Sequence, residues 1–321
     1  MYGILRWIAG VALHWFYGDI RVVGAEKIPR NAPLLIAVNH VNALVDSLLI
    51  GWLMPRRVMM TAKATLLNNP LIALLFRALG VVPLRRAVDE KLALSGRTPS
   101  PARNSGAFRE MLDVLKRNGA VLIFPEGTSH SHQAMVPLKS GLARVALQAR
   151  ERKIVDLQIV PIGLVFENKS SPGSRVRAQV GDPIRVDQWP AEDDHTKLTA
   201  ELSRRMHLVT ERELPSPESV SSTSRPGHAK RTAISLTAAW GRFTHKLPIR
   251  IARAIAVRVS TDADQPAMFT IVIGLGLVLT SYLIHFAVVD LITHSFWIAS
   301  LYLATLLTGA YWAAFEPHLE H

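Results

Sequence analysis

A histidine and an aspartate stand six positions apart where an apolar segment of the sequence ends. Leu34–Val38 predicts a buried strand, Asn39 and His40 follow it directly, and Asp46 comes just before a predicted helix at residues 47–54. A carboxylate one loop away can orient an imidazole and stabilise the imidazolium that forms when the ring accepts a proton. The pair is therefore a candidate general base with its orienting acid. The position of Asp46 also suits a plain helix N-cap, and the two roles are compatible.

Three further blocks stand out along the same stretch. Residues 80–86 read GVVPLRR, residues 124–130 read FPEGTSH after a predicted strand, and residues 160–163 read VPIG. With the histidine and the aspartate, these blocks resemble in order and spacing the four motifs of the glycerol-3-phosphate and lysophosphatidate acyltransferase family. The resemblance covers about residues 18–190. Any single block is a weak signal, whereas four ordered blocks are hard to obtain by accident.

The resemblance implies a sheet-based acyltransferase that takes its acyl group from acyl-CoA or acyl-carrier protein and holds no bound cofactor or metal. His40, oriented by Asp46, would take the proton of a glycerol hydroxyl, and backbone N–H groups at residues 126–128 would stabilise the oxyanion. The residues expected to contact substrate are Asn39, Lys63, Arg86, Glu126, Gly127, Thr128, Ser129, His130 and Lys139.

The phosphate of the acceptor is expected to meet basic side chains. Arg86, Lys63 and Lys139 are the candidates, because arginine contacts phosphate through two hydrogen bonds and lysine acts as a compact charge. Glu126 is expected either to order the polar end of the substrate or to hold a neighbouring loop.

Two departures from the common family pattern resemble one branch of the family. Five residues separate His40 from Asp46, and Ser129, followed by His130, stands where many members have a phosphate-binding arginine. The branch includes fungal glycerol-3-phosphate acyltransferases and bacterial relatives, and it favours glycerol-3-phosphate or a broad range of acceptors. The compact length favours lysophosphatidate, which we take as the expected acceptor. Another lysophospholipid is a further alternative.

The periodicity between the motifs predicts an α/β core. Apolar runs predict strands at residues 20–23, 34–38, 58–61, 121–124, 159–165 and 176–180. Helical spacing is found at residues 47–54, 70–79, 107–116 and 140–150. Alternating elements of this kind predict a mixed, largely parallel sheet flanked by helices. The composition of residues 95–104 and 215–227 is typical of loops and linkers.

Two apolar segments predict a transmembrane helical hairpin. Residues 267–289 and 296–315 contain no Asp, Glu, Lys or Arg, and each is long enough to cross a hydrocarbon layer about 30 Å thick. A buried hairpin in a soluble core is the alternative. Eight cations and no acid lie between Glu218 and Asp262, just before the hairpin. The bias of cations towards the cytoplasm places that flank and the catalytic domain on the cytoplasmic side, as in a bacterial inner membrane.

Two other helices are expected to contact the membrane surface. Residues 1–17 combine helical apolar spacing with aromatic residues, and residues 232–260 space cations along an apolar helix. For residues 232–260 a solvated linker helix is the alternative. The predicted organisation is an interfacial helix at 1–17, an acyltransferase domain at 18–210, a linker at 211–231, a basic surface helix at 232–260 and the hairpin at 267–315.

Composition excludes several classes of protein. The chain has no cysteine, which excludes disulfides, thiolate metal sites and a cysteine nucleophile. Ser129 lacks the G-x-S-x-G context of a serine hydrolase. The net charge of +12 favours an anionic partner, and without a nucleic-acid motif the expected partners are membrane phospholipids and the phosphorylated acceptor. A catalytically silent lipid-binding protein of the same fold is the alternative from another class.

Overall fold

Helices and strands alternate along the part of the chain that carries the motifs. The computed structural model describes residues 2–63, 81–84, 105–129, 135–190, 194–211, 228–260 and 266–315. The helices are α1 (Tyr2–Phe16), α2 (Ala43–Leu53), α3 (Ser105–Lys116), α4 (Gly141–Glu151), α5 (His195–Thr210), α6 (His228–Val259), α7 (Pro266–Thr293) and α8 (Phe296–Phe315). The strands are β1 (Asp19–Val23), β2 (Leu34–Val38), β3 (Val58–Met59), β4 (Thr61–Lys63), β5 (Val82–Leu84), β6 (Ala120–Ile123), β7 (Gln158–Phe166), β8 (Arg175–Val180) and β9 (Ile184–Arg185).

Within the described residues, seven strands form one sheet in the order β1-β8-β7-β2-β6-β3, with β9 paired to β7. Strands β3, β6, β2 and β7 run parallel, whereas β8 and β9 run antiparallel to β7 and β1 runs parallel to β8. The prediction of a mixed, largely parallel sheet is therefore confirmed. Strand β2 lies in the middle of the parallel part, and all its residues are buried.

Side chains of β2 alternate between two core layers, because successive residues of a strand point to opposite faces. Ile36 and Val38 pack with Leu13 of α1 and Leu49 of α2. Leu35, on the opposite face, belongs to a cluster supplied by α3, α4 and α5. Helices thus cover both faces, which is the usual environment of a parallel sheet.

Helix α2 begins earlier than the sequence predicts. The prediction was residues 47–54, but the helix runs from Ala43, with Asn42 at the N-cap. Asp46 lies inside the first turn and is fully buried, so the interpretation of Asp46 as a plain N-cap is wrong. Ala43 has a φ of 44°, a left-handed conformation that costs a non-glycine residue about 1–2 kcal/mol. The loop between the histidine and the aspartate is thus strained.

The predicted strand at 58–61 is two short strands. Val58–Met59 joins the main sheet, while Thr61–Lys63 pairs with Val82–Leu84 in a separate two-stranded sheet. The Thr61 hydroxyl donates to the Leu122 carbonyl at 3.0 Å and ties the small sheet to the large one. The helix predicted at 70–79 and the segments 95–104 and 215–227 lie outside the described residues.

The apolar helices α7 and α8 are joined by His294 and Ser295 alone and pack against each other as a hairpin. Helix α7 continues to Thr293, four residues beyond the apolar segment predicted at 267–289. Both helices are long and apolar enough to cross a membrane, and only 17% and 28% of their most apolar stretches are buried. A soluble core would enclose such helices, so their exposure favours membrane association over the buried alternative.

Helix α6 packs along the hairpin through small residues, which allow helix backbones to approach closely. A Cβ on Gly241 would collide with the backbone of Gly309 of α8. A Cβ on Gly274 of α7 would lie 3.6 Å from that of Ala252. One face of α6 is therefore a helix contact, and the position of this helix at a membrane surface stays a prediction.

Helix α1 bridges the α/β core and the hairpin. Its Arg6 Nε donates to the carbonyl of Trp52 in α2 at 2.8 Å, and its Trp15 Nε1 donates to the carbonyl of Ala310 in α8 at 2.9 Å. Trp7 stacks on Tyr311 of the same hairpin helix, with ring centroids 6.5 Å apart.

Candidate active site

His40 follows the carboxyl end of β2 and points its ring at the first turn of α2. Its Nδ1 lies 3.0 Å from Asp46 Oδ2. An ionised Asp46 carboxylate can only accept a hydrogen bond, so beside it Nδ1 would carry the ring proton and Nε2 would keep a lone pair. Asp46 is fully buried, whereas the His40 side chain is 18% exposed. The arrangement presents a base that a substrate can reach and shields the group that orients it.

The Asp46 carboxylate is held by the loop that it closes. Its Oδ2 also accepts the backbone N–H of Asn42 at 2.8 Å. Burial raises the pKa of Asp46, while the hydrogen bond and charge interaction with His40 and the backbone N–H groups of Asn42 and Val41 oppose that rise. A buried carboxylate of this kind stabilises an imidazolium beside it.

The ring of Phe124 fixes the plane of the His40 imidazole. The two rings are stacked with centroids 3.8 Å apart and an interplanar angle of 13°.

Glu126 meets His40 because β2 and β6 are parallel neighbours in register. Leu34 pairs with Ala120, and the same offset beyond the strand ends brings residue 40 beside residue 126. Glu126 Oε1 accepts the backbone N–H of His40 at 3.1 Å, and the Glu126 side chain is buried. Of the two roles expected for Glu126, the structure shows the contact with a neighbouring loop.

Gly127 forms a tight turn beneath Lys139. Its φ of 73° suits glycine, and a Cβ there would lie 2.9 Å from Lys139 Nζ. The Gly127 N–H donates to the Phe124 carbonyl at 3.0 Å. Among the N–H groups expected to stabilise an oxyanion, that of Gly127 is therefore engaged in the turn, and we keep Thr128 as the candidate donor.

The other expected phosphate contacts are only partly described. Lys63 ends β4 and pairs with Leu84, two residues before Arg86 in sequence. Arg86 and His130 lie outside the described residues. Ser129 follows the glycine turn and is half-buried. Lys139 is thus the predicted cation whose side chain the structure places at the site.

Both polar atoms of the Asn39 side-chain amide form hydrogen bonds with the backbone of Leu164. Its Nδ2 donates to the Leu164 carbonyl at 2.9 Å, and its Oδ1 accepts the Leu164 N–H at 2.7 Å. These bonds attach the end of β2 to β7. We therefore assign Asn39 to holding the strand end that carries His40, rather than to the substrate contact that was expected.

Three side chains that sequence reasoning missed hold the loop between His40 and Asp46. Asn42 Nδ2 donates to the Tyr17 hydroxyl at 2.7 Å, and that hydroxyl donates to the Lys169 carbonyl at 3.0 Å. Lys169 Nζ in turn donates to the Val41 carbonyl at 2.8 Å. Burial raises the pKa of Tyr17, so its hydroxyl stays protonated and can donate. Tyr17, Asn42 and Lys169 are positioning residues.

Tyr17→Phe is expected to lower kcat about tenfold with little change in KM, because the amide of Asn42 loses a buried partner. The control is Tyr2→Phe at the other end of α1, where the hydroxyl lies 3.5 Å from its nearest carbonyls. Steady-state kinetics would measure both variants. A kcat for Tyr17→Phe equal to that of Tyr2→Phe would show that the hydroxyl has no positioning role.

Comparisons with known proteins cover the part of the chain that holds this site. Residues 19–165 match the family model described as Acyltransferase. The chain is 29% identical over 194 residues to the 1-acyl-sn-glycerol-3-phosphate acyltransferase of Cocos nucifera, which covers 58% of this chain and 56% of that one. It is 32% identical over 116 residues to glycerol-3-phosphate O-acyltransferase 2 of Saccharomyces cerevisiae. That match covers 34% of this chain and 16% of the relative. The crystal structure of the 1-acyl-sn-glycerophosphate acyltransferase PlsC of Thermotoga maritima gives a TM-score of 0.48 at 20% identity. The superposition covers 69% of this chain and 81% of the PlsC chain.

The paired histidine and aspartate at the end of the central parallel strand lie within residues 19–165, the part of the chain that matches the Acyltransferase model. In this part of the chain the protein is similar to 1-acyl-sn-glycerol-3-phosphate and glycerol-3-phosphate acyltransferases. The chain spans about half the length of the coconut relative and 16% of the yeast relative.

Proposed function

We propose that the protein is an O-acyltransferase that moves a fatty acyl group from a thioester to the hydroxyl of a glycerol-phosphate lipid precursor. The observation that carries this proposal is the 3.0 Å contact between His40 and a fully buried Asp46, which leaves the second ring nitrogen as a base. The donor is acyl-CoA or acyl-carrier protein, and the protein itself contributes no bound cofactor.

The reaction follows from the two states of His40. Nε2 takes the proton of the acceptor hydroxyl as its oxygen attacks the thioester carbonyl, and the Asp46 carboxylate stabilises the imidazolium. The tetrahedral intermediate then expels the thiolate, which receives the proton from His40. One C–O bond forms, one C–S bond breaks, and the base is regenerated.

The oxyanion of the tetrahedral intermediate and the phosphate of the acceptor are both negatively charged, and different groups of the protein stabilise them. The Thr128 N–H is the donor that we assign to the oxyanion, because preorganised N–H groups stabilise charge as it develops. Lys139, beside the glycine turn, supplies a cation for the acceptor phosphate. Lys63, Arg86, Ser129 and His130 complete the proposed phosphate side.

Lysophosphatidate is the acceptor that we propose, with phosphatidate as the product. The coconut relative, named 1-acyl-sn-glycerol-3-phosphate acyltransferase, supports this acceptor, and its match covers 58% of this chain. Glycerol-3-phosphate is the second candidate, because the five-residue gap and Ser129 resemble the branch that the yeast relative represents. The cations before the hairpin support a catalytic domain on the cytoplasmic side.

The experiment is incorporation of labelled acyl-CoA by membranes that contain the full chain. Lysophosphatidate, glycerol-3-phosphate and lysophosphatidylcholine are offered in parallel. We expect labelled phosphatidate with lysophosphatidate and a lower kcat/KM with the other acceptors. Faster turnover of glycerol-3-phosphate would select the second candidate.

A deoxy analogue of lysophosphatidate is the matched control, since it keeps the phosphate and the chain but lacks the attacking hydroxyl. It should bind without forming product. Incorporation no greater than in membranes without the protein, for every acceptor and with both acyl-CoA and acyl-carrier protein, would contradict the proposal and favour a silent lipid-binding protein.

A further inference from the structure

An apolar cavity of about 200 Å³ lies between α1, α6, α7 and α8. An apolar cavity of about 150 Å³ in another protein holds benzene, so this one has room for part of one hydrocarbon chain but not for a second chain. Leu275 and Leu279 of α7 line the cavity and are also exposed on the outer surface of the hairpin. A chain can therefore enter sideways from a bilayer.

The cavity is elongated along the hairpin. Its α7 lining runs from Thr270 to Tyr282, a span of about 18 Å at 1.5 Å per residue. At one end His245 Nε2 lies 2.6 Å from the Tyr282 hydroxyl, so the polar groups there bond to each other. That end suits the methyl terminus of a chain.

The opposite end carries the charge. Arg253 of α6 lines the cavity beside Thr270 and Ile271 of α7 and is itself exposed. Helices α1, α6 and α8 contain no acidic residue, and the one acid of α7, Asp290, lies eight residues beyond Tyr282. Among the described residues of these four helices Arg253 has no acidic partner at this end, which favours an anionic ligand; residues 261–265, with Asp262 and Asp264, lie outside the described part of the chain.

The charged end of the cavity adjoins the catalytic domain. Ile271 belongs to the same buried cluster as Phe16 of α1 and Val45 of α2, the helix that carries Asp46. A lipid held in the cavity would therefore place its head group at the α/β core and its chain along the hairpin, as expected where a membrane begins.

We propose that this cavity binds one acyl chain of an anionic membrane phospholipid whose phosphate pairs with Arg253. This lipid site is separate from the candidate active site around His40 and Asp46. Lipid binding there requires no acyl transfer. Its occupant packs α1 against the hairpin and keeps the Phe16 end of α1 in place next to Tyr17.

The test uses the full chain in nanodiscs of phosphatidylcholine with a trace of phosphatidate that carries a photoreactive diazirine in one acyl chain. After illumination, peptide mass spectrometry maps the labelled residues. We expect label on the cavity side of α1 and α7, displaced by unlabelled phosphatidate and not by additional phosphatidylcholine. Labelling needs no turnover, so it is independent of the proposed acyl transfer.

Two matched pairs of variants make the test specific. Arg253→Gln should lower cavity labelling about tenfold, the loss expected for a hydrogen bond between charged groups, while Arg250→Gln on the same helix should not. Val278→Trp fills the cavity and should abolish the label, whereas Leu283→Trp on the outer surface of α7 should keep it. Arg253→Gln changes an exposed side chain, so it stays informative if the tryptophan variant does not fold.

Equal labelling of Arg253→Gln and Arg250→Gln would overturn the proposal, as would label spread evenly around α7 and α8. Displacement of the label by phosphatidylcholine would show ordinary bilayer contact without a preference for anionic lipid.

Discussion

His40→Ala is expected to lower kcat for acyl transfer by about 10²- to 10⁴-fold, the contribution that a positioned general base commonly makes. The ring stacks on Phe124 and forms a hydrogen bond with Asp46 beyond the carboxyl end of β2. Removal of the imidazole should therefore leave the strand itself in place. KM for both substrates should change little, because His40 acts on the proton that moves. Incorporation of labelled acyl-CoA into the acceptor measures the effect.

His207→Ala is the matched control, since this histidine lies on the exposed side of α5 and is remote from β2 in sequence. It should retain the activity of the wild type. Equal incorporation by the wild type and His40→Ala would exclude His40 as the base and with it the proposed mechanism.

Asp46→Asn is expected to lower kcat by a similar factor, about 10²- to 10⁴-fold, and to raise Tm at pH 7. Activity falls because a neutral amide no longer stabilises the imidazolium and allows the other ring tautomer. Stability rises because burial of a carboxylate disfavours its charged form, whereas an amide of the same shape carries no charge to bury. A single substitution should therefore separate activity from stability.

The pH dependence of that stability has a definite sign. The pKa of Asp46 is raised in the folded chain above its unfolded value. At a pH between these two pKa values, the folded state therefore binds more protons than the unfolded state. Unfolding free energy from this group therefore increases as pH falls through the folded pKa and decreases as pH rises. The Tm advantage of Asp46→Asn should shrink in acid, as the wild-type carboxyl becomes protonated.

Asp113→Asn, an exposed change on α3, provides the comparison for thermal unfolding and kinetics across pH. It should alter neither Tm nor kcat appreciably. A Tm for Asp46→Asn below that of the wild type at pH 7 would show that the carboxylate stabilises the loop more than its burial costs.

Much of the core was predictable from local pattern. Strand β2 has the predicted bounds, Leu34–Val38, because a central parallel strand reads as an uninterrupted apolar run. Helix α5 was missed although its signals are present: Asp194 caps it by accepting the N–H groups of Thr196 and Lys197. The sequence therefore contains a cap signal for this helix.

Other features depend on contacts that local pattern does not contain. The bond between Glu126 and His40 requires the register of two strands, and Tyr17 and Asn42 meet across 25 residues of sequence. The early start of α2 rests on the left-handed backbone of Ala43, a conformation that alanine does not prefer by itself. Tertiary contacts on both sides of the loop stabilise it, and a sequence pattern of period 2 or 3.6 carries no trace of them.

The bond between Trp15 and Ala310 also sets an order of events during synthesis. The two residues are 295 positions apart, so α1 leaves the ribosome about 15–60 s before its partner is made, at about 5–20 residues per second. Throughout that interval the tryptophans of α1 lack α8, and a lipid bilayer is the apolar surface that can shelter them. Helix α1 is therefore expected to reach the membrane first and to exchange lipid for protein contacts when the hairpin arrives.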